Sequence, residues 1–220
     1  AFVGRFDWGP EDVVVDIGSE KELYEVFGPP NADERGTDWW CAANFLSYGD
    51  RLKVVRVIES GATAGQILGG STGASLMSKA AGTRGNFFRV VGMNGNNSTM
   101  PLTDAGTAVF TYRPTSTNTI YDAVNRGQLS ANPGVTQDEC HIAVIDVAGI
   151  HGASGEVLEV YEGLSRWKGV SDKTGRSLYY KDVINTDSEY IKIEESSNRS
   201  IWHAGTTGDA VWTGTETSVL

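Results

Sequence analysis

Residues that usually carry chemistry are scarce in this sequence. Among 220 residues there are two cysteines and three histidines. Cys41 and Cys140 lie far apart, each in an apolar segment. That suits two small buried hydrophobes and leaves one disulfide as the alternative. His141, His151 and His203 form no H-x-x-x-H or C-x-x-C spacing, and the adjacent Cys140 and His141 would face opposite ways from a strand. No metal site is expected. The strained nucleophile turn G-x-S-x-G is absent, and Gly70-Ser71-Thr72-Gly73 has the wrong pattern for it. Neither a P-loop nor a G-x-G-x-x-G after a strand occurs. His151-Gly152-Ala153-Ser154 falls in a hairpin loop and reads as exposed turn chemistry, not a base–nucleophile pair. The acidic pairs Glu11-Asp12, Asp33-Glu34 and Glu194-Glu195 lack the alternating loop of a calcium site. No catalytic residue, metal ligand or cofactor-binding residue is assigned, and an enzyme is not expected.

Positive charge is also short. Lys and Arg number 18 against 28 Asp and Glu, a net of −10, with pI about 4.7. The first sixty residues hold 6 basic against 12 acidic side chains, and no Lys/Arg cluster stands out anywhere. Phosphate neutralisation needs clustered cations, so direct nucleic-acid binding and attraction to an anionic membrane are not expected. No apolar run reaches the roughly 20 residues that span a bilayer. No signal peptide opens the chain, so no membrane insertion is expected. It starts at Ala1, inside a strand-like stretch, and reads as an excised or trimmed piece of a longer protein. N-x-[ST] occurs at Asn96, Asn97 and Asn198, a short pattern that by itself means little.

What is present is pattern. Glycine is abundant at 27, and with Ser and Thr it punctuates the chain after Ser60, which points to many turns and strands. Ala1–Phe6 and Asp12–Ile17 read as strands around the turn Asp7-Trp8-Gly9-Pro10. Ser19–Phe27 reads as a helix, with Ser19 and Glu22 as a capping box, Leu23, Val26 and Phe27 as its apolar face, and Gly28-Pro29-Pro30 as its stop. Thr37–Tyr48 is a second helix capped by Thr37 and stopped by Gly49, with Trp39, Ala42, Ala43 and Leu46 on one face. Leu52–Ile58 follows as a strand suited to burial on both faces. Gly61–Gly82 is small and polar, like a linker. Gly106–Tyr112 and Cys140–Val147 are further strands, and Pro114–Glu139 is a surface excursion.

Glu156–Ile193 reads as strand, turn, short helix and strand. Val157, Val160 and Leu164 are set among glutamates, Ser171–Gly175 is a turn cluster, Ser177 caps a helix over Tyr180–Asn185, and Ser188–Ile193 alternates. Ser196–Asn198 reads as a turn and Ser200–His203 as a short strand. The fold class is therefore α/β (α+β). An N-terminal α/β portion over 1–60 and a linker over 61–84 precede a β-rich domain with a short helix over 85–220.

Three motifs stand in register in the first block: F-x-W-G-P at Phe6–Pro10, L-Y-E-V-F-G-P-P at Leu23–Pro30, and A-A-N-F-L-S-Y-G-D-R-L-K-V-V-R-V at Ala42–Val57. With the order E-V-Y-E-x-L-S … Y-x-x-D-V-I-N-x-x-S-x-Y-I over 156–193, they resemble the contractile tail sheath proteins of myovirus-type bacteriophages. The glycine turn at 82–91 also resembles that family's, with Arg84 where relatives often carry an aromatic. The resemblance covers roughly 1–60 and 80–193, with little of it in 94–139.

The resemblance implies a structural protein of the virion, assembled in the host cytoplasm. Its subunits form a homo-oligomer of hexameric rings in a helical stack around the tail tube protein, above a baseplate. Contraction drives the tube through the host envelope during genome ejection, without cofactor or hydrolysis. It also implies terminal arms that add strands to neighbouring subunits. The 220 residues are expected to fold alone without building a sheath. Two other readings stay open: the sheath of a bacterial contractile injection system or tailocin, and a β-rich glycan- or surface-binding module. Trp167, Trp202 and Trp212 would form the sugar platform of the latter, or subunit contacts, whereas Trp39 and Trp40 read as core.

Overall fold

The computed structural model describes residues 1–30, 32, 35–62, 64–67, 74–94, 103–104, 107–111, 139–165, 168–195 and 212–213. Helices and strands are mixed throughout, as an α/β fold requires. The first sheet is β1 (Phe2–Gly4), β3 (Leu52–Arg56) and β2 (Val14–Ile17), with β3 in the middle. β1 runs parallel to β3, Phe2 opposite Val54, and β2 runs antiparallel, Ile17 opposite Leu52. A parallel neighbour needs a crossover, and α1 (Glu20–Phe27) and α2 (Arg35–Leu46) lie within it.

The capping residues of α1 are those expected, with Glu22 reaching one residue beyond the cap Ser19 to Gly18. The Ser19 hydroxyl accepts the Glu22 N–H at 3.1 Å, and the Glu22 carboxylate accepts the Gly18 N–H at 2.8 Å. Gly28 ends the helix at φ +73°, its N–H bonded to the Tyr24 carbonyl. Leu23 and Phe27 are fully buried, and the Phe6 and Phe27 rings meet at 4.6 Å. α2 differs at its start. It begins at Arg35, so Thr37 lies inside the helix and not at its cap. Its inner face is the expected one: Trp39, Ala42 and Ala43 are buried, and the Trp39 indole N–H donates to the Gly28 carbonyl at 2.9 Å. β3 also differs, because Lys53 is exposed between buried Leu52 and Val54, so only one of its faces is covered.

The second sheet is ordered β10 (Glu156–Ser165), β9 (Glu139–Asp146), β6 (Phe88–Asn94) and β12 (Trp212–Thr213), all antiparallel. β9 is buried along its whole length. Successive side chains point to opposite faces, so Cys140, Ile142 and Val144 join Phe88, Val90 and Leu164 in one core. Ala143 and Ile145 join Val91, Val109 and Phe110 in another. β10 carries irregularities between Val157 and Glu159 and between Tyr161 and Leu164. β7 (Thr103–Asp104) and β8 (Thr107–Ala108) form a small ladder, shorter than the Gly106–Tyr112 strand expected.

The third sheet, β11 (Ile191–Glu195), β5 (Ala74–Ala81) and β4 (Ala64–Ile67), occupies much of the stretch read as a linker. β5 is held on both sides, with Ile191 opposite Ser78 and Gln66 opposite Met77. Its inward positions are Leu76, Ser78 and Ala80, all buried. Gly82 at φ +123° then turns the chain into a 3-10 helix over Thr83–Phe87 and on to β6. α3 (Tyr180–Asp187) supplies Tyr180, Val183 and Ile184 to the core beside β11. Its cap is Tyr179, not Ser177. Ser177 instead donates to Asp182 at 2.9 Å and accepts the Tyr179 N–H at 3.3 Å. The turn before it is as expected, with Asp172 accepting from the N–H groups of Thr174 and Arg176. The expected Ser196–Asn198 turn and Ser200–His203 strand lie outside the described residues.

Candidate interaction surface

The turn Phe6–Pro10 is held by one buried cation. Arg56 is 3% exposed and donates to the carbonyls of Phe6 at 2.7 Å, Gly9 at 3.1 Å and Ala81 at 2.6 Å. Glu11 pairs with it at 3.4 Å and also accepts the Ala81 N–H. Burial lowers the Arg56 pKa, while Glu11 and Asp7 act against that. A planar fork can serve several acceptors at once where a lysine could not, so this side chain fastens the first sheet to the end of β5. Arg84 makes a parallel link, donating to the Pro29 carbonyl at 2.6 Å and lying 3.6 Å from the Asp7 carboxylate. A neutral aromatic there could not supply the charge that faces Asp7.

Thus fixed, Trp8 enters the core of the later sheets. Its ring packs 5.2 Å from Phe88, 5.5 Å from His151 and 6.3 Å from Tyr190. His151 is therefore not an exposed turn residue. Its ring lies 5.3 Å from Phe88 and 5.1 Å from Tyr190, and its Nε2 is buried with no hydrogen-bond partner among the described residues. Burial lowers its pKa below 6.5, against the nearby Asp146 carboxylate and with the help of Arg84. Asp146 shapes the loop that carries His151, accepting the N–H groups of Gly149 at 2.8 Å, His151 at 2.6 Å and Gly152 at 3.1 Å. Composition marked the loop; only tertiary folding reveals that it closes over Trp8.

The other sequence candidates scatter. His141 is buried beside Phe110 and accepts the Gly163 N–H at 3.1 Å. Cys41 is exposed and Cys140 buried, both free thiols, so the disulfide alternative is not formed. Glu11 serves Arg56, and Glu194 pairs with Lys192 at 3.3 Å. Among the described residues no three His, Cys, Asp or Glu side chains are grouped to hold a metal ion, and no helix is long and apolar enough to cross a membrane. Gly70–Gly73, Asp33-Glu34, Asn96, Asn97, Asn198 and His203 lie outside the described residues, as do the side chains of Trp167, Trp202 and Trp212.

The surface offers contacts instead of chemistry. α2 is apolar on both sides: opposite its buried face stand Trp40, 58% exposed, Phe45, 50%, and Tyr48 just beyond the helix, 90%. Trp40 is thus surface and not core, resting edge-on against Trp39 at 5.0 Å. Among the described strands, β1 and β2 are both edges of the first sheet; Val3 and Val14, each opposite Val55, are exposed on the face turned away from α2, and Val13 is exposed beside them. Exposed aromatic groups gathered on one helix, as on α2, mark a contact surface, and free strand edges can pair with another chain.

Comparison with known proteins gives these features a context. No family model matches the chain. It is 40% identical over 60 residues, 27% of its length, to a tail sheath protein of Vibrio phage KVP40, and 39% identical over 59 residues to the tail sheath protein of Enterobacteria phage T4. Each match spans only 9% of the curated relative. Among solved structures, sheath tail proteins of Desulfitobacterium hafniense and Listeria innocua align with TM-scores of 0.44 and 0.47 at 12% and 10% identity. They cover 100% and 98% of this chain and 35% and 32% of theirs. Over about sixty residues, then, this chain is similar in sequence to phage tail sheath proteins.

Proposed function

We propose that the chain is part of a structural subunit of a contractile phage tail sheath. In this reading its partners are other sheath subunits, arranged as hexameric rings in a helical stack, together with the tail tube and the baseplate. It resides in the virion tail after assembly in the host cytoplasm. Its work is to store the energy of an extended packing and release it on contraction, driving the tube through the host envelope. That is a bistable interface between rigid bodies, and it needs no cofactor or hydrolysis.

The observation that carries the reading is the aromatic outer face of α2 on a helix whose inner face is locked into the core. A subunit that must slide between two sets of contacts needs adhesive groups on a body that does not deform. Trp40, Phe45 and Tyr48 are groups of the kind enriched at interface centres. The test is light scattering of the complete gene product, wild type against Trp40→Ser/Phe45→Ser/Tyr48→Ser. Assembly should weaken by at least about tenfold in critical concentration, as expected when interface anchors are lost, with the monomer's circular dichroism unchanged. Unaltered assembly would overturn the role given to this face.

A further inference from the structure

A groove of about 920 Å³ lies between α1 and the turn joining α3 to β11. The α1 side contributes Glu22, Tyr24 and Glu25, and the opposite side Asp187, Glu189 and Tyr190, with Trp8 and His151 below. Among the described residues Lys79 is the one lysine or arginine lining it, and its ammonium is already engaged by the Asn185 and Ser188 carbonyls at the end of α3. The lining is therefore acidic above an aromatic base. Tyr24 is 42% exposed, and Tyr190 is partly exposed and backed by Trp8.

We propose that this groove docks an arginine-bearing extended segment of a partner polypeptide. A guanidinium stacks on aromatic faces and bonds carboxylates in the same plane, and tyrosines beside carboxylates offer both. The groove's size suits a few side chains of an extended segment. Charge selects the occupant: with a net charge of −10, the chain favours partner segments of opposite sign. Three of the carboxylates now have partners: Glu22 accepts the Gly18 N–H at 2.8 Å, Glu25 pairs with Lys21 at 3.5 Å and Asp187 with Arg176, and the two ion pairs are exposed. Such pairs yield to a better-desolvated cation. The inference does not depend on the sheath reading, since it concerns a surface of the single chain.

The probe is a short fluorescein-labelled peptide of alternating Arg and Leu, titrated with the 220-residue chain at low salt and followed by anisotropy. Glu189→Lys, inside the groove, should weaken binding about tenfold or more, and Tyr24→Ala several-fold. Glu59→Lys, the same charge change on an exposed residue outside the groove, should stay within about twofold, because long-range attraction alone is screened. Replacing Arg by Lys in the peptide should weaken binding through lost stacking. No binding, or equal losses from Glu189→Lys and Glu59→Lys, would overturn the proposal. All three substituted side chains are exposed, so the variants keep the fold, and far-UV circular dichroism checks this.

Discussion

At Arg56 the carbonyls of three distant residues and one carboxylate meet a single side chain. Removing it strands those acceptors in the interior. Arg56→Met should therefore lower unfolding free energy by about 3 kcal/mol or more, and Arg56→Lys should recover only part, since an ammonium cannot span the fork. Urea midpoints measure both. His151 sets a different prediction. Its folded pKa is depressed below 6.5 by burial, so the unfolded chain takes up the proton first as pH falls. Its stabilising contribution is present above pH 6.5 and is lost as pH falls from there through the folded pKa. Unfolding free energy measured from pH 8 down to pH 5 should decline over that window, and His151→Phe should flatten the decline. Neither role was legible in the sequence. Arg56 sits in a strand-like run that reads as apolar, and His151 follows a glycine-rich loop that reads as exposed. Both depend on partners far along the chain.

Elements were legible where local chemistry decides them. Ser19, Glu22 and Gly28 write the bounds of α1 in side-chain and backbone hydrogen bonds within four residues, and Ser19→Ala should cost about 1 kcal/mol. Gly28→Ala should cost more. The position has φ +73°, and an added Cβ would lie 2.3 Å from the Arg84 Nη1, so the strained backbone and the displaced cation add. Thermal melts of the two variants should rank in that order. β5 was not legible, because its buried residues include Ser78 and Ala80, which look like linker composition. Its strand character comes from β11, more than a hundred residues later. The outer face of α2 was misread at Trp40 for a related reason: a helix apolar on both sides gives periodicity no direction. At this scale, the triple α2 substitution should leave monomer stability within about 0.5 kcal/mol, as surface changes usually do, while weakening assembly.

Across the whole molecule, the first sixty residues and the later sheets are tied by buried groups. Trp8 sits in the core with Phe88 and Tyr190, and Arg56 reaches the Ala81 carbonyl. Residues 1–60 expressed alone should lack a cooperative unfolding transition, since Trp8 and Arg56 would lose their partners; the 220-residue chain should show one, by calorimetry. Such a unit can move as a body against neighbours, as the proposed sheath role requires. The most direct test is negative-stain electron microscopy of the complete gene product expressed alone. Hollow tubes of uniform diameter are the predicted result, and they should be lost in Trp40→Ser/Phe45→Ser/Tyr48→Ser. Monodisperse particles that never polymerise at any concentration would contradict the account.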